Sequence, residues 1–132
     1  MLTLPFISRQ TFFLSYTHSI YLAPVVEKLE ADGSAIHLRE ISTKSRGAIE
    51  SYNFRGTLHQ ERGEIRMRDI DFTVAELPVI IGHTGTQRLI WEDRVFSLYE
   101  LSAPGGVLTI KPVKISLWRY AWERAFRLRK AG

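Results

Sequence analysis

The 132-residue chain contains no cysteine. That absence removes structural disulfides, thiolate metal sites and cysteine nucleophiles together, and it fits a reducing compartment or a particle assembled in one. No stretch approaches the ~18 consecutive apolar residues of a membrane span. Residues 1–24 are apolar, but Arg9, Gln10, Thr17 and His18 interrupt them and no basic region leads into an unbroken apolar core, so the segment reads as part of the fold and not as a targeting signal. His18, His37, His59 and His83 are scattered without ligand spacing such as HxxxH. Gly82–Thr86 (GHTGT) lacks the lysine and spacing of a P-loop, and no GxSxG pattern occurs. No cofactor motif, metal site or catalytic constellation is recognisable, and the expectation is a protein that is not an enzyme.

A hydrophobic content of 45% over this length fits one domain with its own core. The net charge of +4 is local in origin. Arg119, Arg124, Arg127, Arg129 and Lys130 crowd the last fourteen residues against the single acid Glu123, and outside that tail the charges balance.

Most of the chain reads as short strands. Residues 12–22 are rich in aromatic and β-branched side chains. Pro24–Ala31 (PVVEKLEA) is expected to form a short helix, with Pro24 in its first turn and Gly33 just past its end. A strand follows at Ile36–Ile41, and Ser42–Ser51 has the composition of an exposed loop. Tyr52, Phe54 and Leu58 then alternate towards a turn at Glu61-Arg62-Gly63, where Gly63 can take a positive φ. Ile65 and Met67 differ in parity from Ile70, Phe72 and Val74, so a bulge at Arg68-Asp69 is needed to keep one face apolar. Leu77–Ile81 is a short apolar strand and Gly82–Arg88 a polar loop. A hairpin over RLIWEDRVFSLYEL, a Pro104-Gly105-Gly106 turn and a last strand from Val107 complete the β region, with Pro112 placing that strand at an edge or a bulge.

Glu92 and Asp93 are adjacent, and strand neighbours point to opposite faces, so they read as a two-residue hairpin tip and not as an acid/base pair. Asp69 and Asp71 would share a strand face, but a divalent cation needs about six oxygens and no further acids cluster nearby. Tyr52, Phe54, Phe72, Phe96 and Tyr99 sit at alternating positions expected in a core.

The end of the chain changes period. Trp118, Trp122 and Phe126 recur every four residues, widened by Leu117, Ala121, Ala125 and Leu128, while Arg119, Glu123, Arg127 and Lys130 line the other face. This is an amphipathic basic helix. It can dock on the body, present Trp and Arg anchors to a partner, lie on a membrane surface or meet a nucleic-acid backbone. Partner contact is preferred, through Trp118, Arg119, Trp122, Arg124, Phe126, Arg127 and Arg129.

The reading is mainly β, a small barrel or sandwich in one domain, 1–132. It comprises an amino-terminal segment 1–47 with a short helix, a β-barrel core 48–116 and a helix 117–132.

The order of features from Ile49 to Trp118 resembles the head–tail connector (stopper or head-closure) proteins of tailed bacteriophage necks. The matching pieces are the strand FRGTLHQ, the turn ERGEI, the strand DIDFTVAEL, the step Leu77-Pro78, the hairpin IWEDRVFSLYEL, the APGG turn and a closing strand; Arg94 stands where that family usually has glycine. The resemblance implies a non-enzymatic, ring-forming virion subunit, assembled in the host cytoplasm. It would bind portal, adaptor and tail proteins, seal the packaged DNA and take no cofactor, membrane or small-molecule substrate. A loop would project into the channel: Gly82, His83, Thr84, Gly85, Thr86, Gln87 and Arg88 first, Ser42–Ser51 second. Alternatives are a nucleic-acid-binding module, OB-like with a basic helix, and another neck or tail component such as a tail terminator.

Overall fold

The computed structural model describes residues 2–6, 10–32, 35–83 and 86–114. In chain order the elements are β1 (Leu2–Phe6), β2 (Gln10–Thr17), β3 (Pro24–Asp32), β4 (Ala35–Thr43), α1 (Arg46–Glu50), β5 (Thr57–Glu61), β6 (Glu64–Arg68), β7 (Thr73–Val74), β8 (Leu77–Ile80), β9 (Arg88–Trp91), β10 (Arg94–Ser97), α2 (Leu98–Leu101) and β11 (Val107–Lys114). The mainly β class holds.

Eight strands form one antiparallel sheet in the order β10-β9-β2-β3-β4-β6-β5, with β7 pairing on β4. A second sheet runs β1-β11-β8, in which β1 is parallel to β11. Among the described residues neither strand path closes into a ring. Buried residues of both sheets, including Phe12, Leu29 and Ile36 from the large one and Leu108 and Ile110 from the small one, belong to one core. The central strands β2–β4 come from the segment 1–47, which is therefore integral to the sheet.

Pro24–Ala31 is strand, not helix. An eight-residue helix is marginal on its own, whereas β3 finds a ladder on each side, with β2 and β4. Its pattern satisfies both periods, and the sheet selects period two: Val25, Leu29 and Ala31 are buried on one face. Helix appears instead within Ser42–Ser51, the stretch expected to be loop. The Ser45 side chain caps α1 by accepting from the Ala48 amide at 3.2 Å, and Ala48 and Ile49 are fully buried.

The hairpins turn where the sequence indicates. Arg62 (φ 50°) and Gly63 (φ 79°) form the two-residue loop between β5 and β6, and Glu92 (φ 57°) opens the one between β9 and β10. The parity change between Met67 and Ile70 is made by a break in place of a bulge within a continuous strand: β6 stops at Arg68, Asp69 takes φ 56°, and strand resumes only at Thr73. Both Met67 and Ile70 are thereby buried. The bulge in this sheet lies elsewhere, at Arg39, which the β3–β4 register skips between Lys28↔Glu40 and Leu29↔Leu38. The β9–β10 hairpin ends at Ser97 and Leu98–Leu101 is a helical turn, which sends Tyr99 to solvent and Leu98 into the core. Tyr52, Phe54, Phe72 and Phe96 do pack against the core. Pro112 pairs with β1 beyond the end of the β8 ladder, where β11 has a neighbour on one side only.

Candidate functional site: a carboxyl in the core face

One row of cross-strand partners runs through the whole seven-strand path: Phe96, Leu89, Leu14, Glu27, Ile41, Met67 and Leu58. Directly opposed residues point to the same face, so Glu27 lies on the core face of the central strand, fourth of seven and flanked by the buried Leu14 and Ile41. It is the only polar group of the row.

Two tyrosines meet it. Tyr16 is on the same face of β2, one diagonal step away, since its direct partner is Val25. Tyr52 arrives from the turn after α1, held by its amide on the Ile49 carbonyl (3.3 Å) and by a run of tilted rings, Tyr52–Phe54 at 5.7 Å and Phe54–Phe72 at 5.1 Å. The Tyr16 and Tyr52 hydroxyls are hydrogen-bonded to each other, and Tyr52 also bonds to the Glu27 carboxyl. An ionised carboxylate only accepts, so Tyr52 donates to Glu27 and its oxygen accepts from Tyr16.

Burial shifts the ionisation of all three. Loss of water raises Glu27 to about 7 against the opposing hydrogen bond from Tyr52. Burial likewise lifts Tyr16 to about 12 and moves Tyr52 upward, with the Glu27 charge adding to both. Two half-buried acids nearby are treated differently. Glu30 has Arg39 at 3.0 Å and Glu40 has Arg68 at 3.1 Å and Arg66 at 3.7 Å. Glu27 has no cationic partner among the described residues.

The carboxyl opens into a groove of about 310 Å3 between the two sheets. Leu14, Ser15 and Tyr16 form one side, and Leu77–Ile80 of β8, an edge strand, form the other. Gln87, Arg88 and Leu98 complete the lining. A second chamber of about 460 Å3, lined by Thr17–Ser19, Gly82, His83 and Thr86, shares Tyr16 and Gln87 with the first. Gln87 fixes that boundary: its Nε2 donates to the Ile80 carbonyl (2.8 Å), its Oε1 accepts from the Gly82 amide (2.7 Å), and its own carbonyl accepts from the Leu98 amide (3.0 Å).

The loop singled out from sequence thus contributes Gly82, His83, Thr86, Gln87 and Arg88 to the walls of these chambers, with Thr86 Oγ1 also accepting from the Thr17 amide at 3.2 Å. Thr84 and Gly85 lie outside the described residues, as do Trp118, Arg119, Trp122, Arg124, Phe126, Arg127 and Arg129 of the terminal helix. Glu92 and Asp93 are an exposed turn, and Gln10 Nε2 donates to Glu92 Oε1 at 3.1 Å. Asp69 and Asp71 are exposed and not on one strand, because β6 has ended before them. His18 accepts at Nδ1 from the amides of Ile20 (3.2 Å) and Tyr21 (3.3 Å), so its Nε2 carries the proton towards Ser51 Oγ at 3.1 Å. His37 Nδ1 bonds Thr73 Oγ1 at 2.8 Å. No group of three ligating side chains occurs among the described residues.

Glu27, Tyr16 and Tyr52 were not among the sequence candidates. The signal available was the acid at the centre of VVEKL: once that segment is strand, Glu27 shares parity with Val25 and Leu29.

A family model described as a domain of unknown function (DUF1850) matches residues 12–98. Those residues include Glu27, both tyrosines and every residue lining the first chamber. No curated protein and no solved structure matches.

Proposed function

The chain belongs to the DUF1850 family, and we propose that it is a small-molecule-binding module whose site is the groove at Glu27. The observation that carries this is a carboxyl placed at the centre of an apolar sheet row and facing a concave space. Burying such a group costs several kcal/mol unless it is compensated, and a fold has no need of it for packing. Mostly apolar concave surfaces with a few converging polar groups are the usual form of a ligand site. The reading is one of binding, not of turnover.

The test is a fragment panel of compact apolar molecules screened against the whole chain by NMR. Saturable shifts at Leu14, Val79 and Leu98 are expected, abolished by Val79→Trp, which fills the groove, while the melting profile stays cooperative. A panel in which nothing perturbs these residues would sink the proposal.

The ring-forming phage neck subunit that the sequence pattern resembles stands as a second proposal. Two surface features support a role in assembly. Ile80 and Val107 face each other across the β8–β11 ladder at 70% and 59% exposure, and β5 is exposed along its whole length at a sheet edge. Its test is genetic: loss of the gene should leave DNA-filled heads without tails, and normal tailed particles in its absence would exclude it.

A further inference from the structure

Resting on the groove reading, we infer that the ligand is an organic cation, a protonated amine on a compact apolar body, with Glu27 as its counter-ion. Three observations point the same way. Glu30 of β3 and Glu40 of β4 have arginine partners, whereas Glu27 has none among the described residues. Among the described residues, the groups facing Glu27 from each packed element supply no positive charge against it: Leu14 and Tyr16 come from β2, Ile41 from β4, Tyr52 from the turn after α1, and Leu77–Ile80 from β8. Arg88, on the β9 side of the groove, is exposed and has a partner of its own.

The remaining chemistry suits an ammonium group. Tyr52 donates to Glu27 and so holds one lone pair of the carboxylate, leaving others for N–H donors. Tyr16 lines both chambers, which puts an aromatic ring within reach of a bound cation. The apolar side of β8 would cover the body of the ligand. At the ~30 Å3 that a water occupies in the liquid, 310 Å3 holds on the order of ten non-hydrogen atoms. An anionic ligand would place its charge against Glu27 and is disfavoured by the same placement.

Binding is accordingly tied to protonation. With the carboxyl raised to about 7 in the empty groove, a cation must displace a proton from part of the population near neutral pH. Affinity for an amine is therefore expected to rise between pH 5.5 and 8, a range over which an alkyl ammonium stays charged.

The experiment compares 2-phenylethylamine, 2-phenylethanol and phenylacetate, near-isosteric probes of different charge, by NMR titration of the full chain. The amine is expected to bind about tenfold or more tighter than the alcohol, as hydrogen bonds to charged groups are worth, and tighter still at pH 8 than at pH 5.5. E27Q should keep alcohol binding and lose the amine preference. Should E27Q bind neither probe, the pH series on the native chain decides alone. An alcohol that binds as tightly as the amine, or phenylacetate binding tighter, overturns the cation inference and leaves the groove reading standing. If no probe perturbs the groove, both fall.

Discussion

Glu27 stands directly across the β2–β3 ladder from Leu14, and across the β3–β4 ladder from Ile41, so that both neighbours of this acid in the sheet are buried aliphatic side chains. The placement makes Glu27 a cost to the fold when ionised and gives the protein a pH dependence of unusual sign.

The carboxyl titrates near 7 in the folded chain against 4.5 as its ordinary value. The folded state therefore holds the proton more tightly than the unfolded state between these limits. Stability is full below about pH 4.5 and falls as pH rises through 7, by up to roughly 3 kcal/mol. Glu27→Gln removes that slope. Chemical denaturation at pH 5 and pH 8 should show the variant gaining about 1–3 kcal/mol on the native chain at pH 8, with the difference shrinking at pH 5. A native chain equally stable at both values, other groups being matched by the variant, would refute it.

Tyr52→Phe removes the only described donor to the carboxylate. Glu27 should then titrate higher still, seen by NMR of its side-chain carbon, and the chain should lose about 1–3 kcal/mol at pH 8. Tyr16→Phe, one bond further from the acid, should change the Glu27 titration less. In the native chain Tyr16 should ionise near pH 12, which ultraviolet difference spectra against Tyr16→Phe would resolve.

Gly56 is held by close approach. A Cβ there would stand 2.6 Å from Met67 Cγ and 2.8 Å from the Arg68 carbonyl oxygen, and the latter is backbone that cannot swing away. Gly56→Ala is expected to cost about 1–3 kcal/mol, measured as a lowered denaturation midpoint.

Gln87→Ala deletes both side-chain bonds that tie the loop after β8 to its own base. Hydrogen exchange at the Gly82 amide should accelerate at least tenfold while exchange in β3 and β4 is unchanged. Uniform acceleration across the sheet would instead mean that Gln87 supports the whole fold.

Much of the β architecture is legible along the chain because its causes are local. Arg62-Gly63 and Glu92-Asp93 turn where two apolar alternations meet. The parity conflict between Met67 and Ile70 marks the break at Asp69, although the break is a strand end and not a bulge. Pro24–Ala31 misleads because Val25 and Leu29 fit a helical stripe as well as an alternating face, and only the presence of β2 and β4 on its two sides selects strand. Ile49, in a segment of loop composition, is buried for a similar reason: α1 closes over the core formed by residues distant in sequence.

Local pattern suffices for a cysteine-free, mainly β chain with its tight turns in place, since alternation and turn chemistry act over two to four residues. The tertiary structure alone decided the order of the strands, the parallel pairing of β1 with β11 and the row that sets Glu27 among leucine, isoleucine and methionine. Burial of that carboxyl, and its meeting with Tyr16 and Tyr52, depend on ladders between segments far apart in the chain, which no local pattern encodes.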